Sequence, residues 1–274
     1  MTTRLAKLHA TGNDFLVVDA PGPAPAAVPG LCDRHRGIGA DGLLVLGPAR
    51  DGADCTMTLY NADGSPAEMS GNGIRCLAWV AVAHGLGTDD TLVVDTGAGR
   101  RSVELERGVS GQLERATVDM GAVTFEPAAI PFTGPTALDL DVKYHGVTYH
   151  GDAAGIGNPH LVLLVDDVDA TRVTQHGPHL EHDPRFPAGT NVEFVTPQGR
   201  DALRMRVWER AVGETLSCGT GACAAAAVAH RHGLVDEHVT VHVPGGDLEV
   251  TLGTSVRLGG PVTHVFDVDV PTAS

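Results

Sequence analysis

The sequence predicts an α/β (α+β) protein of two pseudo-symmetric domains, each a curved mixed β-sheet wrapped around one central helix. Three observations predict it. The chain of 274 residues repeats itself at an offset of 148 residues. Each copy holds one apolar helical stretch behind a glycine-rich turn. Nearly everything else is short β-like runs separated by Gly, Pro and Asp turns.

The repeat is clearest from Ser70, S-G-N-G-I-R-C-L-A-W-V-A-V-A-H-G-L, set against Cys218, C-G-T-G-A-C-A-A-A-A-V-A-H-R-H-G-L. Ser70 falls on Cys218, Gly71 on Gly219, Gly73 on Gly221, and His84-Gly85-Leu86 on His232-Gly233-Leu234. Upstream, T-M-T-L-Y-N ending at Asn61 falls on R-M-R-V-W-E ending at Glu209; downstream, Gly97 falls on Gly245. With a slightly different offset, T-G-N-D-F-L-V-V-D at Thr11 resembles I-G-N-P-H-L-V-L-L-V-D at Ile156, and G-A-D-G-L-L-V-L at Gly39 resembles G-T-N-V-E-F-V at Gly189. Chance gives one glycine match, not this many in one order, so the chain reads as an internal duplication.

In each copy the helix begins after the glycine-rich turn, runs through 77–82 or 224–229, and stops at His-Gly, where glycine suits the position past a helix end. The alanine-rich second helix suits a place deep inside a sheet. Residues 43–46, 56–60, 92–95, 162–165, 192–195 and 239–243 read as strands. The boundary falls between about residues 131 and 147, giving halves 1–135 and 136–274, with the chain end free to cross back to the first half.

Composition narrows the function. A net charge of −15 opposes binding to nucleic-acid backbones and anionic membranes. The chain lacks an 18-residue apolar run for a membrane span, and M-T-T-R-L-A-K-L-H-A at the start lacks a signal-peptide core. A cytoplasmic protein is the expectation. The five cysteines, Cys32, Cys55, Cys76, Cys218 and Cys223, are odd in number and form no C-x-x-C pair. They point away from a disulfide framework and from a metal site, and all but Cys218 read as small buried hydrophobes. The only lysines, Lys7 and Lys143, stand in no loop suited to pyridoxal phosphate, and no P-loop or dinucleotide fingerprint occurs. No cofactor is expected.

Ser70 and Cys218 both stand at a predicted helix N-cap. Serine caps well in its own right; cysteine caps poorly and asks for another reason. A helix start offers orphan N–H groups and partial positive charge, which favour a thiolate and bind a carboxylate. Two such starts facing one amino-acid carboxylate would draw off charge as a Cα proton leaves, and carriers on opposite faces of Cα would permit inversion.

These motifs together resemble the diaminopimelate epimerase family over nearly the whole chain. They are T-G-N-D-F, N-A-D-G-S-P-A-E-M-S-G-N-G-I-R from Asn61, G-N-P-H at Gly157, F-P-A-G-T-N-V-E-F-V at Phe186, and E-R-A-V-G-E-T-L-S-C-G-T-G-A-C at Glu209. The resemblance implies two pseudo-symmetric α/β halves, a site between them, and cofactor-free interconversion of LL- and meso-2,6-diaminopimelate on the route to lysine and cell wall. It further implies a homodimer. Asn13, Asn61, Asn158 and Asn191, with Glu209 and Arg210, would bind the non-reacting end of the amino-acid substrate. Backbone N–H groups of Gly71-Asn72 and Gly219-Thr220 would hold the reacting carboxylate. Cys218 matches one catalytic cysteine, with Glu209 as its acid–base companion, and His160 matches the histidine that accompanies the other. Gly42 is expected to leave room where some relatives carry a larger polar group.

The family pattern has cysteine where this chain has Ser70. A serine hydroxyl is far less acidic than a thiol and needs a neighbouring base. Cys76 is no substitute, lying about 9 Å further along the helix at 1.5 Å per residue. Three readings stay open. Ser70 works with His160 as a relay and epimerisation persists. The site performs one-sided elimination or dehydration, or racemises another amino acid, with Cys218 as the sole thiol. Or the chain, natural or engineered, binds an amino acid without turning it over.

Overall fold

The computed structural model describes residues 2–271. The chain divides into two units: residues up to Asp119 with those from Gly259 onward, and Met120–Leu258. The first contains β1 (Thr2–Ala10), β2 (Asn13–Asp19), a short α1 (Val28–Cys32), β3 (Gly42–Gly47), β4 (Cys55–Asn61), β5 (Pro66–Ala67), α2 (Gly71–Ala83), β6 (Thr91–Thr96), β7 (Gly99–Arg107) and most of β8 (Leu113–Gly121). The second contains β9 (Leu140–Tyr144), β10 (Val147–Gly155), β11 (Pro159–Leu164), α3 (Val173–Leu180), β12 (Asn191–Pro197), β13 (Ala202–Glu209), β14 (Gly213–Thr215), α4 (Gly219–Arg231), β15 (His238–Val243) and β16 (Gly246–Thr251). β17 (Val256–Pro261) carries the chain back to the first unit, which ends in β18 (Thr263–Pro271).

Each unit repeats the other's pairing. In the first, β1–β2 is antiparallel, β2–β3 parallel, β3–β4 and β4–β5 antiparallel, β4–β6 parallel and β6–β7 antiparallel. In the second, β10–β11 is antiparallel, β11–β12 parallel, β12–β13 and β13–β14 antiparallel, β13–β15 parallel and β15–β16 antiparallel. Even the extra strand recurs: β18 joins β1, and β9 joins β10, both antiparallel.

Inside each sheet lies one helix. α2 packs on β1 to β4, and α4 on β10 to β13, β15 and β16. Ala222, Ala224, Ala225, Ala226 and Ala229 are fully buried; side chains of one carbon let the strands close around α4. Both helices stop as the sequence predicts, with Gly85 at φ +76° and Gly233 at φ +68° just past the end.

Two differences have physical causes. The division falls at 119/120 and 258/259 rather than near 135/136, inside strands β8 and β17. The Pro- and Gly-rich stretch after β8 belongs to the second unit: Thr124 bridges Gly155, and Ile130, Phe132 and Ala137 sit in a core with Leu161, Phe186 and Phe194. The sequence also shows one convincing helix per half, yet α3 forms across Gly177-Pro178. It buries Val173, His176 and Leu180, and a Cβ on Gly177 would lie 2.6 Å from Trp208 Cγ, so glycine lets this helix approach β13. No helix among the described residues is long and apolar enough to cross a membrane.

Candidate active site

Ser70 caps α2 with extended backbone (φ −142°, ψ 121°), and its Oγ accepts the Gly73 N–H at 3.0 Å. Behind it the buried Asn72 donates to Asn13 Oδ1 at 3.1 Å, and Asn13 donates to Asp41 at 2.7 Å. Arg75, fully buried, reaches Asn72 Oδ1 and the Gly71 carbonyl, with Pro261 O at 3.4 Å. Asn61, at the exposed end of β4, donates to Ser65 at 3.0 Å. Asp14 follows Asn13 and binds Lys7 and Arg34; burial opposes its ionisation, but these cations outweigh burial and hold the carboxyl at about 2. Gly42 leaves no room: a Cβ there would lie 2.6 Å from the Tyr60 carbonyl and 3.2 Å from the Phe15 ring.

Cys218 caps α4 in the same way (φ −127°, ψ 112°), its Sγ accepting the Gly221 N–H at 3.4 Å. Its hydroxyl neighbour is Thr220 at 3.5 Å, and the charge of Glu209, which accepts from Thr215, acts on the sulfur. Asn158 donates to Thr220 at 3.3 Å and meets His160 Nε2 at 2.9 Å; His160 Nδ1 meets Glu193 at 2.7 Å. Asn191 ties the backbone, donating to the Pro159 carbonyl at 3.0 Å and accepting the Arg210 N–H at 3.0 Å. The Arg210 guanidinium is exposed, with the Ala188 carbonyl at 3.4 Å.

The electrostatics correct one expectation. A helix start alone would favour the Cys218 thiolate, but burial pushes its pKa well above the usual thiol value, and the charges of Glu209 and Glu193 add to the rise. The Thr220 and Gly221 hydrogen bonds oppose it without overcoming it. Burial raises Glu209 as well, followed by the charge of Glu193, against hydrogen bonds from Thr215 and Cys218. The resting group is therefore a thiol facing a carboxyl that readily takes a proton. Cys32, Cys55, Cys76 and Cys223 are buried; burial pushes Cys32 to about 11 and Cys55 and Cys76 to about 12.

The N-terminal unit gathers Asn13, Ser70, Gly71 and Asn72 about the start of α2. The C-terminal unit gathers Asn158, His160, Glu209, Cys218, Gly219 and Thr220 about the start of α4. Sequence reasoning missed Glu193 and Arg75, both fully buried charged side chains. The available signal was a lone carboxylate within the apolar run N-V-E-F-V, and a lone arginine within an apolar helix.

A family model described as Diaminopimelate epimerase matches residues 5–126 and 153–262. A diaminopimelate epimerase of Moorella thermoacetica is 43% identical over 97% of this chain and 98% of its own. One from Leptospira biflexa is 37% identical over 98% and 99%. Among solved structures, a hydroxyproline epimerase from Agrobacterium vitis with bound trans-4-OH-L-proline superposes with a TM-score of 0.73 at 18% identity, covering 98% of this chain and 92% of that one. A Bacillus anthracis phenazine biosynthesis protein of the PhzF family gives 0.72 at 16%, covering 99% of each chain. At these identities the two structures show a shared fold.

Proposed function

Because the chain belongs to the diaminopimelate epimerase family, we propose that it interconverts LL- and meso-2,6-diaminopimelate by taking a proton from Cα and returning one to it. The observation that carries this reading is the cap of α4, where a buried cysteine sulfur accepts a helix-start N–H and the charge of Glu209 acts on it. The thiol is protonated at rest, so Glu209 takes its proton and the thiolate takes the one on Cα. Negative charge then moves onto the substrate carboxylate, where N–H groups of Gly219-Thr220 and Gly71-Asn72 stabilise it. Asn13, Asn61, Asn158, Asn191 and Arg210, with Glu209, recognise the far amino and carboxyl groups, Arg210 as a fork for a carboxylate.

Ser70 stands as the second proton carrier and needs a base. For His160 to be that base, its Nε2 must release Asn158. A hydroxyl is a far weaker acid than a thiol, so the serine side is expected to be the slower of the two. Ser70 also favours one further reading, in which Cys218 alone removes the proton and a β-substituent leaves. Chiral chromatography of LL-diaminopimelate after incubation separates the two. Meso product supports epimerisation; unchanged substrate, with a keto acid released from a β-substituted amino acid, supports elimination. A cytoplasmic homodimer, as the resemblance to the family implies, completes the proposal.

A further inference from the structure

A line of polar groups runs away from Cys218 into the interior of its unit. Thr220 Oγ1 lies 3.5 Å from Sγ, with geometry that lets either atom donate. Asn158 Nδ2 donates to that hydroxyl oxygen at 3.3 Å, Asn158 Oδ1 meets His160 Nε2 at 2.9 Å, and His160 Nδ1 meets Glu193 Oε1 at 2.7 Å. His160 and Glu193 are fully buried, and Glu193 Oε2 has no hydrogen-bond partner among the described residues.

The direction of this line follows from donor and acceptor inventory. An amide donates at nitrogen and accepts at oxygen. With Asn158 nitrogen toward Thr220, the threonine oxygen is an acceptor on that side, and its single hydrogen is left for Sγ. His160 Nε2 must donate to Asn158 Oδ1 for the same orientation to hold. The links from His160 through Asn158 and Thr220 then point toward the sulfur. Hydrogen bonds to an ionised acceptor are roughly twice as strong as neutral ones, so the last link gains strength when the thiol becomes a thiolate.

We propose that Thr220 is a positioning residue for Cys218, its hydroxyl donating to the sulfur and more strongly as the thiol proton leaves, with Asn158 and His160 fixing that direction and Glu193 holding the imidazole at the far end. No proton travels along the line. The thiol proton passes to the Glu209 carboxylate, the S–H bond breaks as the O–H bond forms, and the Thr220 hydrogen stays on its oxygen. This rests on the reading of Cys218 as a proton carrier. Groups facing the sulfur are Glu209 on β13, Glu193 on β12, His160 on β11 through Asn158, and the Gly221 N–H of α4.

The test is alkylation of Cys218 by iodoacetamide as a function of pH, followed by peptide sequencing that resolves Cys218 from Cys223. Thr220→Val removes the hydroxyl at nearly constant volume and is expected to slow alkylation about tenfold at pH values below the thiol's titration, because the reactive species is the thiolate. Thr220→Ser should return the rate to near the parent's. Thr220→Ala reports the same loss if valine disturbs the helix start, with circular dichroism as the check on folding. Equal rates in the parent and the folded valine or alanine variants would overturn the proposal. An inactive parent that still shows the tenfold difference would remove the epimerase reading and leave Thr220's role standing. An active parent whose alkylation ignores the hydroxyl would do the reverse.

Discussion

Ser70 and Cys218 hold one structural position and differ in one atom. Each caps a helix with extended backbone and accepts the N–H three residues on. Oxygen in place of sulfur keeps the cap and removes most of the acidity. Ser70→Cys is expected to raise the steady-state epimerisation rate by at least about tenfold, since a positioned acid or base contributes on the order of 10²–10⁴; an unchanged rate in a chiral assay would remove Ser70 from the chemistry. Glu209 gives a second prediction. Its folded pKa is raised above the ordinary 4.5, chiefly by burial. A raised carboxyl contributes stability that is complete below 4.5 and lost as pH rises through the folded value. Glu209→Gln removes that loss, so urea melts should show the variant gaining on the parent as pH climbs from about 4 to 7. A constant difference across that range would mean the carboxyl is not shifted.

At the scale of elements, close approach explains both what the sequence revealed and what it hid. α2 and α4 were legible because apolar runs, caps and His-Gly ends agreed. α3 was not, because Gly177-Pro178 reads as a break. The glycine is there for contact with Trp208, and Gly177→Ala is expected to lower the urea midpoint by the equivalent of about 1–3 kcal/mol with an unchanged slope. Gly221 is tighter still: a Cβ would meet Glu193 Oε1 at 2.6 Å and Cys218 Sγ at 3.2 Å. Gly221→Ala should therefore displace the sulfur and cut epimerisation by about 10²-fold, with wild-type activity in a folded variant as the contrary result. Glu193 escaped notice for a related reason. It sits in the middle of an apolar strand, and its partner His160 lies 33 residues away on the parallel neighbour, a pairing that only the sheet register brings about.

At the scale of the whole molecule, the duplication was the most legible feature, since a fixed offset in sequence became the same order of parallel and antiparallel pairings in each unit. The boundaries were less legible because they fall inside β8 and β17, where no turn or change of composition marks them. A homodimer is the expected solution state, and sedimentation velocity showing twice the mass of a 28.4 kDa chain would support it. Proton traffic at Cα is the property on which the functional proposal depends. Incubation of LL-diaminopimelate with the protein in deuterated water, followed by proton NMR and mass spectrometry, measures it directly. Deuterium at Cα together with meso-diaminopimelate, both abolished by Cys218→Ala, is the predicted result. Substrate recovered undeuterated and wholly LL after binding to the folded protein would contradict it.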